Sequence, residues 1–213
     1  MKNKCLILVI ISLFTTACAV KIPLQANLSE QTMLLAKNKN LKADYVLISD
    51  VLNGPIDFVT IQRNGKEFVN NNEYEYDSET AFLRIWNSYF SSKFNSYSEE
   101  TIEIDVILLD LYLVKTSSTS IGENILTGNS KYNIEAVAEF EYIINYKGKT
   151  YGNKFEVNSS EYNESQLMSG GDVFYTETLE NPTRQKAKLL ESCFNRSIIQ
   201  FENFINLIVF DMQ

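Results

Sequence analysis

The pattern of apolar and polar residues predicts several β-strands in the first third of the chain. Residues 45–52 form a β-rich run that Asn53-Gly54-Pro55 stops. Residues 56–61 then alternate between apolar and polar side chains, and Asn64-Gly65 separates them from a second run at 66–69. Because Asn-Gly between two such runs is the strongest short hairpin signal, we predict a β-hairpin over residues 56–69.

Two longer strands are predicted in the middle of the chain. Residues 101–115 begin with period two and are apolar on both sides from residue 107, which is typical of a central strand. Residues 133–146 alternate throughout, and Lys147-Gly148 turns the chain into a returning strand at 149–157. This alternation places three carboxylates on the face away from the core: Glu135, Glu139 and Glu141.

Two amphipathic helices are predicted from spacings of three and four residues. The first has Ser78 as its predicted N-cap and carries an aromatic-rich stripe of Phe82, Ile85, Trp86, Tyr89, Phe90 and Phe94. The second follows Asn181-Pro182 and repeats Ala187, Leu190, Phe194, Ile198, Phe201, Ile205 and Ile208. A short helix is predicted over residues 29–37, capped by Ser29. The predicted fold class is α+β, with a mostly antiparallel sheet covered on one face by the two amphipathic helices.

Two polar segments lack a clear period. Residues 116–131 are rich in Ser, Thr, Gly and Asn, and residues 158–180 are polar and turn-rich. Both exceed the length that connections in a compact domain need, and loops of this length are usually either functional or merely disordered. We therefore predict a partner-binding rim formed by these loops, represented by Ile125 and Leu167.

The first eighteen residues have the form of an export signal. Lys2 and Lys4 precede an apolar run at 5–14, and Thr15-Thr16-Ala17 leads to Cys18. As a helix this run is only ~15 Å long against ~30 Å of hydrocarbon, too short for an ordinary membrane span. We expect residues 1–17 to be removed and Cys18 to be acylated, with 18–28 as the lipidated cysteine and a short tether and 29–213 as one α+β domain. An ordinary signal peptide, with Cys18 present by chance, stays an alternative.

Composition narrows the chemistry further. Removal of residues 1–17 takes Lys2 and Lys4 with it and leaves 17 basic against 27 acidic residues, a net charge of −10 with an acylated amino terminus. Such a chain is not expected to seek nucleic acid or an anionic lipid surface by its net charge. The sequence has no histidine, which excludes Ser-His-Asp and Cys-His catalysis and the usual zinc sites. Neither nucleotide-binding glycine motif occurs, so we predict no enzyme, no cofactor and no metal.

Three features allow a functional and a structural interpretation. Exposed Trp86, Tyr74 and Tyr76 would form a carbohydrate or adhesin platform, whereas a buried aromatic stripe is simply core. Glu139 and Glu141 lie about 7 Å apart on a strand, near a glycosidase separation, although an exposed sheet face produces such pairs by default. Cys193 is left without a disulfide partner once Cys18 is acylated, and it is expected to be a small core residue. We favour the structural interpretation in each case.

The order of elements, together with Cys18 and the Tyr-Lys-Gly-Lys turn, resembles the YajG-like and transport-auxiliary lipoproteins of bacterial envelopes. The resemblance implies a non-enzymatic lipoprotein that binds another envelope protein and reaches the membrane through a palmitate-type lipid on Cys18. Ala19, where an aspartate would retain such proteins in the inner membrane, implies the outer membrane with the body facing the periplasm. Attachment to the cell membrane or display at the cell surface, as an adhesin or carbohydrate-binding lipoprotein, is the alternative.

Overall fold

The computed structural model describes residues 19–37, 42–50, 55–62, 65–94, 101–117, 129–159, 162–169, 172–175 and 182–210. Within these ranges there are nine strands and three helices. The strands are β1 (Val20–Lys21), β2 (Lys42–Ile48), β3 (Pro55–Ile61), β4 (Glu67–Glu75), β5 (Thr101–Ser117), β6 (Asn129–Tyr146), β7 (Lys149–Asn158), β8 (Tyr162–Ser169) and β9 (Asp172–Tyr175). The helices are α1 (Glu30–Leu35), α2 (Ser78–Lys93) and α3 (Pro182–Phe210).

The strands form one mixed sheet with the path β1-β4-β3-β5-β6-β8-β9, and β2 and β7 pair with β5 and β6 beside that path. Five pairings are antiparallel, but β1 with β4, β2 with β5 and β3 with β5 are parallel. The α+β class therefore holds, and the prediction of a mostly antiparallel sheet was wrong. Local alternation and turn signals identify hairpin neighbours, whereas β3 and β5 are joined through β4 and α2, a crossover that favours parallel pairing.

β5 is a central strand, as its apolar run predicted. One edge pairs with β6, while the other pairs with β2 over its first half and with β3 over its second. The ladder with β6 shifts register between Leu108 and Asp110, so the extra residue moves the buried positions by one. The bulge explains why residues after position 107 look apolar on both faces of the strand in the sequence. The buried positions are Ile102, Ile104, Val106 and Leu108 before the bulge and Leu111 and Leu113 after it.

Both long helices contact the same face of β6. Phe82 of α2 and Phe194 of α3 have ring centroids 6.4 and 6.3 Å from that of Phe140. The ring centroids of Trp86 of α2 and Phe201 of α3 lie 5.9 and 5.5 Å from that of Tyr142. Because Phe140 and Tyr142 are two residues apart on one strand, they point to one side of the sheet, and the two aromatic stripes meet there.

The segment 158–180, predicted to be irregular, contains β8 and β9. β8 pairs with the first part of β6, from Ile134↔Tyr162 to Asn129↔Leu167, and β7 pairs with the rest. Ser159 lies at the change of partner, where its N–H donates to the Ala136 carbonyl (2.8 Å) and its Oγ accepts the Ala136 N–H (2.7 Å). The sequence of β8 is polar and does not alternate, so local sequence patterns did not predict its pairing with β6. In the other predicted loop, β5 extends to Ser117 and β6 begins at Asn129.

Residues 19–28, predicted to be a tether, are packed against the domain. β1 pairs with β4 at Tyr74 and Glu75, and Ile22 is buried in the main core. The predicted cap of α1 is confirmed, because the Ser29 side chain accepts the Thr32 N–H at 3.2 Å. Among the described residues, contact with the rest of the sheet therefore already begins at β1.

Candidate functional site

The structure does not bring the predicted site residues together. Cys18 and Ile125 lie outside the described residues. Leu167 belongs to β8, where its backbone is paired between Asn129 of β6 and Phe174 of β9. The part of the predicted rim that the structure describes is therefore an extension of the sheet.

The aromatic residues proposed for a carbohydrate platform are buried. Trp86 is 0% exposed, Tyr76 3% and Tyr74 7%. The Trp86 ring is packed by aromatic rings from both helices and from β6: Phe82, Tyr89, Phe90, Tyr142 and Phe201. These side chains build core and are not available to stack on a sugar at the surface.

The paired glutamates lie on the outer sheet face among other charged residues. Glu139 lies opposite Asp110 on β5 and Glu156 on β7, whereas Glu141 lies opposite Lys154, with 3.9 Å between Nζ and Oε2. Both glutamates are on the sheet face away from the helices and are partly solvent-exposed. Neither lines either of the two cavities described below.

That outer sheet face is strongly acidic. The strand registers bring carboxylates from β2, β3, β5, β6 and β7 onto it: Asp44, Asp57, Glu103, Asp105, Asp110, Glu135, Glu139, Glu141 and Glu156. Partial burial, then Asp57 and Glu139, raise the pKa of Asp110, while its hydrogen bond from the Leu111 N–H opposes the shift. Burial and the neighbouring carboxylates likewise raise the pKa of Tyr112.

Two buried side chains of α3 hold the N-terminal segment in place. Glu191 Oε1 accepts the Gln25 N–H at 2.7 Å and the Tyr76 hydroxyl at 3.4 Å. Asn195 Oδ1 accepts the Ser29 N–H at 2.7 Å, and its Nδ2 donates to the Asn27 carbonyl at 3.1 Å. The sequence pattern did not predict this contact. Its only signal was the presence of polar residues beside the apolar stripe of α3.

A second buried polar group joins the two long helices. Lys93 of α2 and Glu202 of α3 form an ion pair with an N–O distance of 3.0 Å and side chains that are 9% and 5% exposed. The Tyr89 hydroxyl donates to Glu202 Oε1 at 2.5 Å. Burial and the Glu202 carboxylate raise the pKa of Tyr89. The negative charge of Glu202 is balanced by Lys93, and its carboxylate accepts a hydrogen bond from Tyr89. This group therefore holds the two helices together and does not resemble a reactive site.

Two cavities flank the exposed side of α3. One, of about 390 Å³, lies between α3 and the N-terminal segment and is lined by Asn27, Leu28, Ser29, Gln31, Lys188, Glu191, Ser192, Asn195, Arg196 and Ile199. The other, of about 260 Å³, lies between α3 and the end of β7 and is lined by Glu156, Val157, Asn158, Arg196, Ile199 and Gln200. Arg196 borders both, and its Nη1 donates to the Asn158 carbonyl.

Within the described residues, neither a reactive thiol nor a metal-binding cluster is found. Burial raises the pKa of the Cys193 thiol to about 12, and its Sγ donates to the Ala136 carbonyl at 3.3 Å. Across the described ranges, His, Cys, Asp and Glu side chains form no group of three or more with metal-binding geometry. In the same part of the chain, no helix has the length and apolar character needed to cross a membrane.

Comparisons with known proteins give similarity in structure alone. No family model matches the sequence, and no curated protein matches it. Among solved structures, the chain is similar to an uncharacterised protein, with 10% identity, a TM-score of 0.37, and coverage of 88% of this chain and 99% of that one. It is also similar to protein XCC0632 from Xanthomonas campestris, of the DUF330 family, with 7% identity, a TM-score of 0.42, and coverage of 86% and 91%. Neither similarity assigns a family or a function to this chain.

Proposed function

We propose that this protein is a lipid-anchored envelope protein, held in the outer membrane through Cys18, that acts without catalysis as a binding module for another envelope protein. The observation that carries the proposal is the distance between anchor and body. β1 begins at Val20, two residues after Cys18, which is at most about 7 Å of extended chain. A lipid on Cys18 would therefore hold the domain directly against the membrane surface, where its binding partners would be other envelope components.

The competing functions have less support. The adhesin or carbohydrate-binding alternative needs exposed aromatic residues, and its three candidates are buried. The hydrolase alternative needs two carboxylates in a cleft, and Glu139 and Glu141 line neither of the two cavities beside α3. The likeness to YajG-like and transport-auxiliary lipoproteins remains part of the proposal, and it favours a binding role.

The proposed docking surface is the end of the sheet formed by the segments 116–131 and 158–180. β8 and β9 extend the sheet here, and a short edge strand such as β9 offers backbone groups to a partner. Ile125 and Leu167 are the positions at which we expect contact.

The test is crosslinking in cells from photoreactive residues placed at Ile125 and at Leu167, with Glu139 on the outer sheet face as the control position. We expect a discrete protein adduct from the first two positions and none from the control. Adducts that are equally diffuse at all three positions, or absent from all of them, would contradict docking through this end of the sheet.

A further inference from the structure

The exposed side of α3 is cationic, although the protein as a whole is acidic. Arg184, Lys188 and Arg196 are exposed, and with Ser192 they recur every four residues, which aligns them along one side of a helix. The stripe continues through neutral residues that are also exposed: Gln200, Asn203, Asn206 and Leu207.

No exposed carboxylate interrupts this stripe. Between Pro182 and Ile208, α3 has two acidic residues, Glu191 and Glu202, which are 6% and 4% exposed. The first accepts hydrogen bonds from Gln25 and Tyr76, and the second is paired with Lys93. Both negative charges are thus directed into the protein. Glu156, at the β7 side of the smaller cavity, is the carboxylate that lines the groove from outside the helix.

The opposite side of the molecule carries the reverse charge. The outer sheet face presents the acidic residues named above, and the strand registers also place Lys21, Lys42 and Lys154 on it. Since α3 packs against the other face of the sheet, its exposed cations and the carboxylates of the outer sheet face lie on opposite sides of the body. The chain therefore has a cationic side although its net charge is −8.

The cationic stripe lies next to the chain segment that leads to the anchor. Residues 25–29 run along α3, held by Glu191 and Asn195. The opposite wall of the larger cavity is formed by Asn27, Leu28, Ser29 and Gln31. Lys188 and Arg196 line that cavity about 12 Å apart along the helix axis, at about 1.5 Å per residue. The hydrogen bond to Asn158 uses one of the five N–H donors of the Arg196 guanidinium.

We propose that this stripe, with the cavity between Lys188 and Arg196, contacts the phosphate groups of anionic phospholipids, so that the body lies with α3 toward the bilayer and the acidic sheet face away from it. Charge complementarity and continuity with the anchored segment select the bilayer as the occupant. Basic residues near an anionic surface each contribute about 1 kcal/mol to attraction. Repulsion of the acidic sheet by the same surface favours the same orientation.

This inference rests on the proposed anchor, and the experiment separates the two. The untagged protein is purified from membranes and incorporated into phosphatidylcholine vesicles with or without phosphatidylglycerol, all containing a nickel-chelating lipid. Nitroxide labels are attached to Asn203→Cys on the stripe or to Glu139→Cys on the sheet face. Cys193 is 0% exposed, so it does not compete for the label, and the absence of histidine leaves the protein without a strong nickel ligand.

We expect nickel to broaden the label at position 203 in vesicles with phosphatidylglycerol much more than in those without it, and to leave the label at 139 unaffected in both. Arg184→Gln combined with Lys188→Gln should lower the equilibrium constant for the contact about fivefold per charge. Arg196→Gln should do the same, and it serves as a second variant should the first fail to fold. Lys154→Gln is the control for Arg196→Gln: it also removes one positive charge, but from the sheet face, and it should not lower the equilibrium constant for the contact.

Equal broadening at position 203 in both kinds of vesicle, or broadening that the stripe variants do not reduce, would overturn the orientation. Loss of the contact on adding inorganic phosphate, but not chloride at matched ionic strength, would show instead that the cavity takes a free phosphate ion. Failure of the anchor has a different signature: the parent chain, without an introduced cysteine, would itself take up label at Cys18.

Discussion

Asp110 shows how a single residue is affected by the charge on the outer sheet face. It lies directly opposite Glu139, and like charges in that position are destabilising. Its folded-state pKa is raised, so the protonated form is favoured in the native state. The stability that Asp110 contributes is therefore greatest at acidic pH, below its unfolded pKa, and is lost as the pH rises through the folded pKa.

We accordingly predict that Asp110→Asn raises the melting temperature at neutral pH. The difference from the parent should shrink as the pH falls through the raised folded-state pKa, and it should be smallest below the unfolded pKa of about 4. The amide oxygen of asparagine can still accept the Leu111 N–H, which is 2.8 Å from Asp110 Oδ1. Asp110→Ala is the control, because it removes this hydrogen bond together with the charge. Thermal unfolding of all three proteins across this pH range is the measurement. A lower melting temperature for the asparagine variant at neutral pH would contradict the prediction.

The buried pair of Lys93 and Glu202 leads to a second prediction. Lys93→Met leaves the Glu202 carboxylate in the core without its counter-ion, and breaking a buried pair in this way costs about 3–5 kcal/mol. Lys93→Met combined with Glu202→Gln removes both charges and keeps an acceptor for the Tyr89 hydroxyl, so it should restore much of the loss. Urea unfolding, followed by the fluorescence of the single tryptophan, measures both. If the single and double variants lost the same free energy of unfolding, the two charges would not stabilise each other and the prediction would be wrong.

At the scale of elements, α3 combines three roles on its different sides. Its apolar stripe packs on β6, its buried polar residues bind the N-terminal segment and α2, and its exposed stripe is cationic. The apolar and polar positions of such a helix are readable from the sequence. The partners of Glu191, Asn195 and Glu202 are not, because each lies more than 100 residues away in the chain.

The apolar stripe of α3 is tested by truncation. Phe194 is 0% exposed and packs edge-on against Phe82 and Phe140. Phe194→Ala should therefore lower the free energy of unfolding by about 3–5 kcal/mol, a large part of a typical total of about 5–15 kcal/mol. Asn203→Ala, at an exposed position on the same helix, should change it by less than about 0.5 kcal/mol. Similar unfolding midpoints for the two variants would show that Phe194 does not contribute to the core.

At the scale of the whole molecule, the proposed anchor and the cationic side of α3 act on the same orientation. The lipid would fix the distance of the body from the membrane, and the charge would fix which side faces it. Screening affects exposed charges more than hydrocarbon burial, so salt should alter the orientation without releasing the protein.

The anchor itself is tested by Cys18→Ser. Because acylation requires the thiol, the variant should lose labelling by a palmitate analogue and should leave the membrane fraction. Stable attachment needs more than one acyl chain, at about 0.8 kcal/mol for each buried CH₂. Cys193→Ala is the matched control: it removes the buried thiol and should keep both the label and the membrane association. Unchanged labelling of the Cys18 variant would exclude this residue as the lipid site.

The sequence alone determined those features that depend on neighbouring residues. Alternation and turn chemistry identified the strands at 101–115 and 133–157, and helical spacing identified both long helices and most of their buried residues. The cap at Ser29 was also correct, whereas α2 is capped by Asp77 one residue before the predicted Ser78. The absence of histidine excluded whole classes of catalysis without any structure, because those reactions require that side chain.

Tertiary structure decided which distant segments meet. The parallel pairing of β5 with β2 and β3, the polar strand β8 and the docking of residues 25–29 on α3 all depend on contacts far apart in the chain, which local periodicity does not encode. The distribution of charge is of the same kind. The net charge led us to expect no attraction to anionic lipid, and strand alternation predicted three outward glutamates on β6. Only the fold brings carboxylates from five strands onto one sheet face and sets the cations of α3 on the other side, because a sum over residues contains no positions in space.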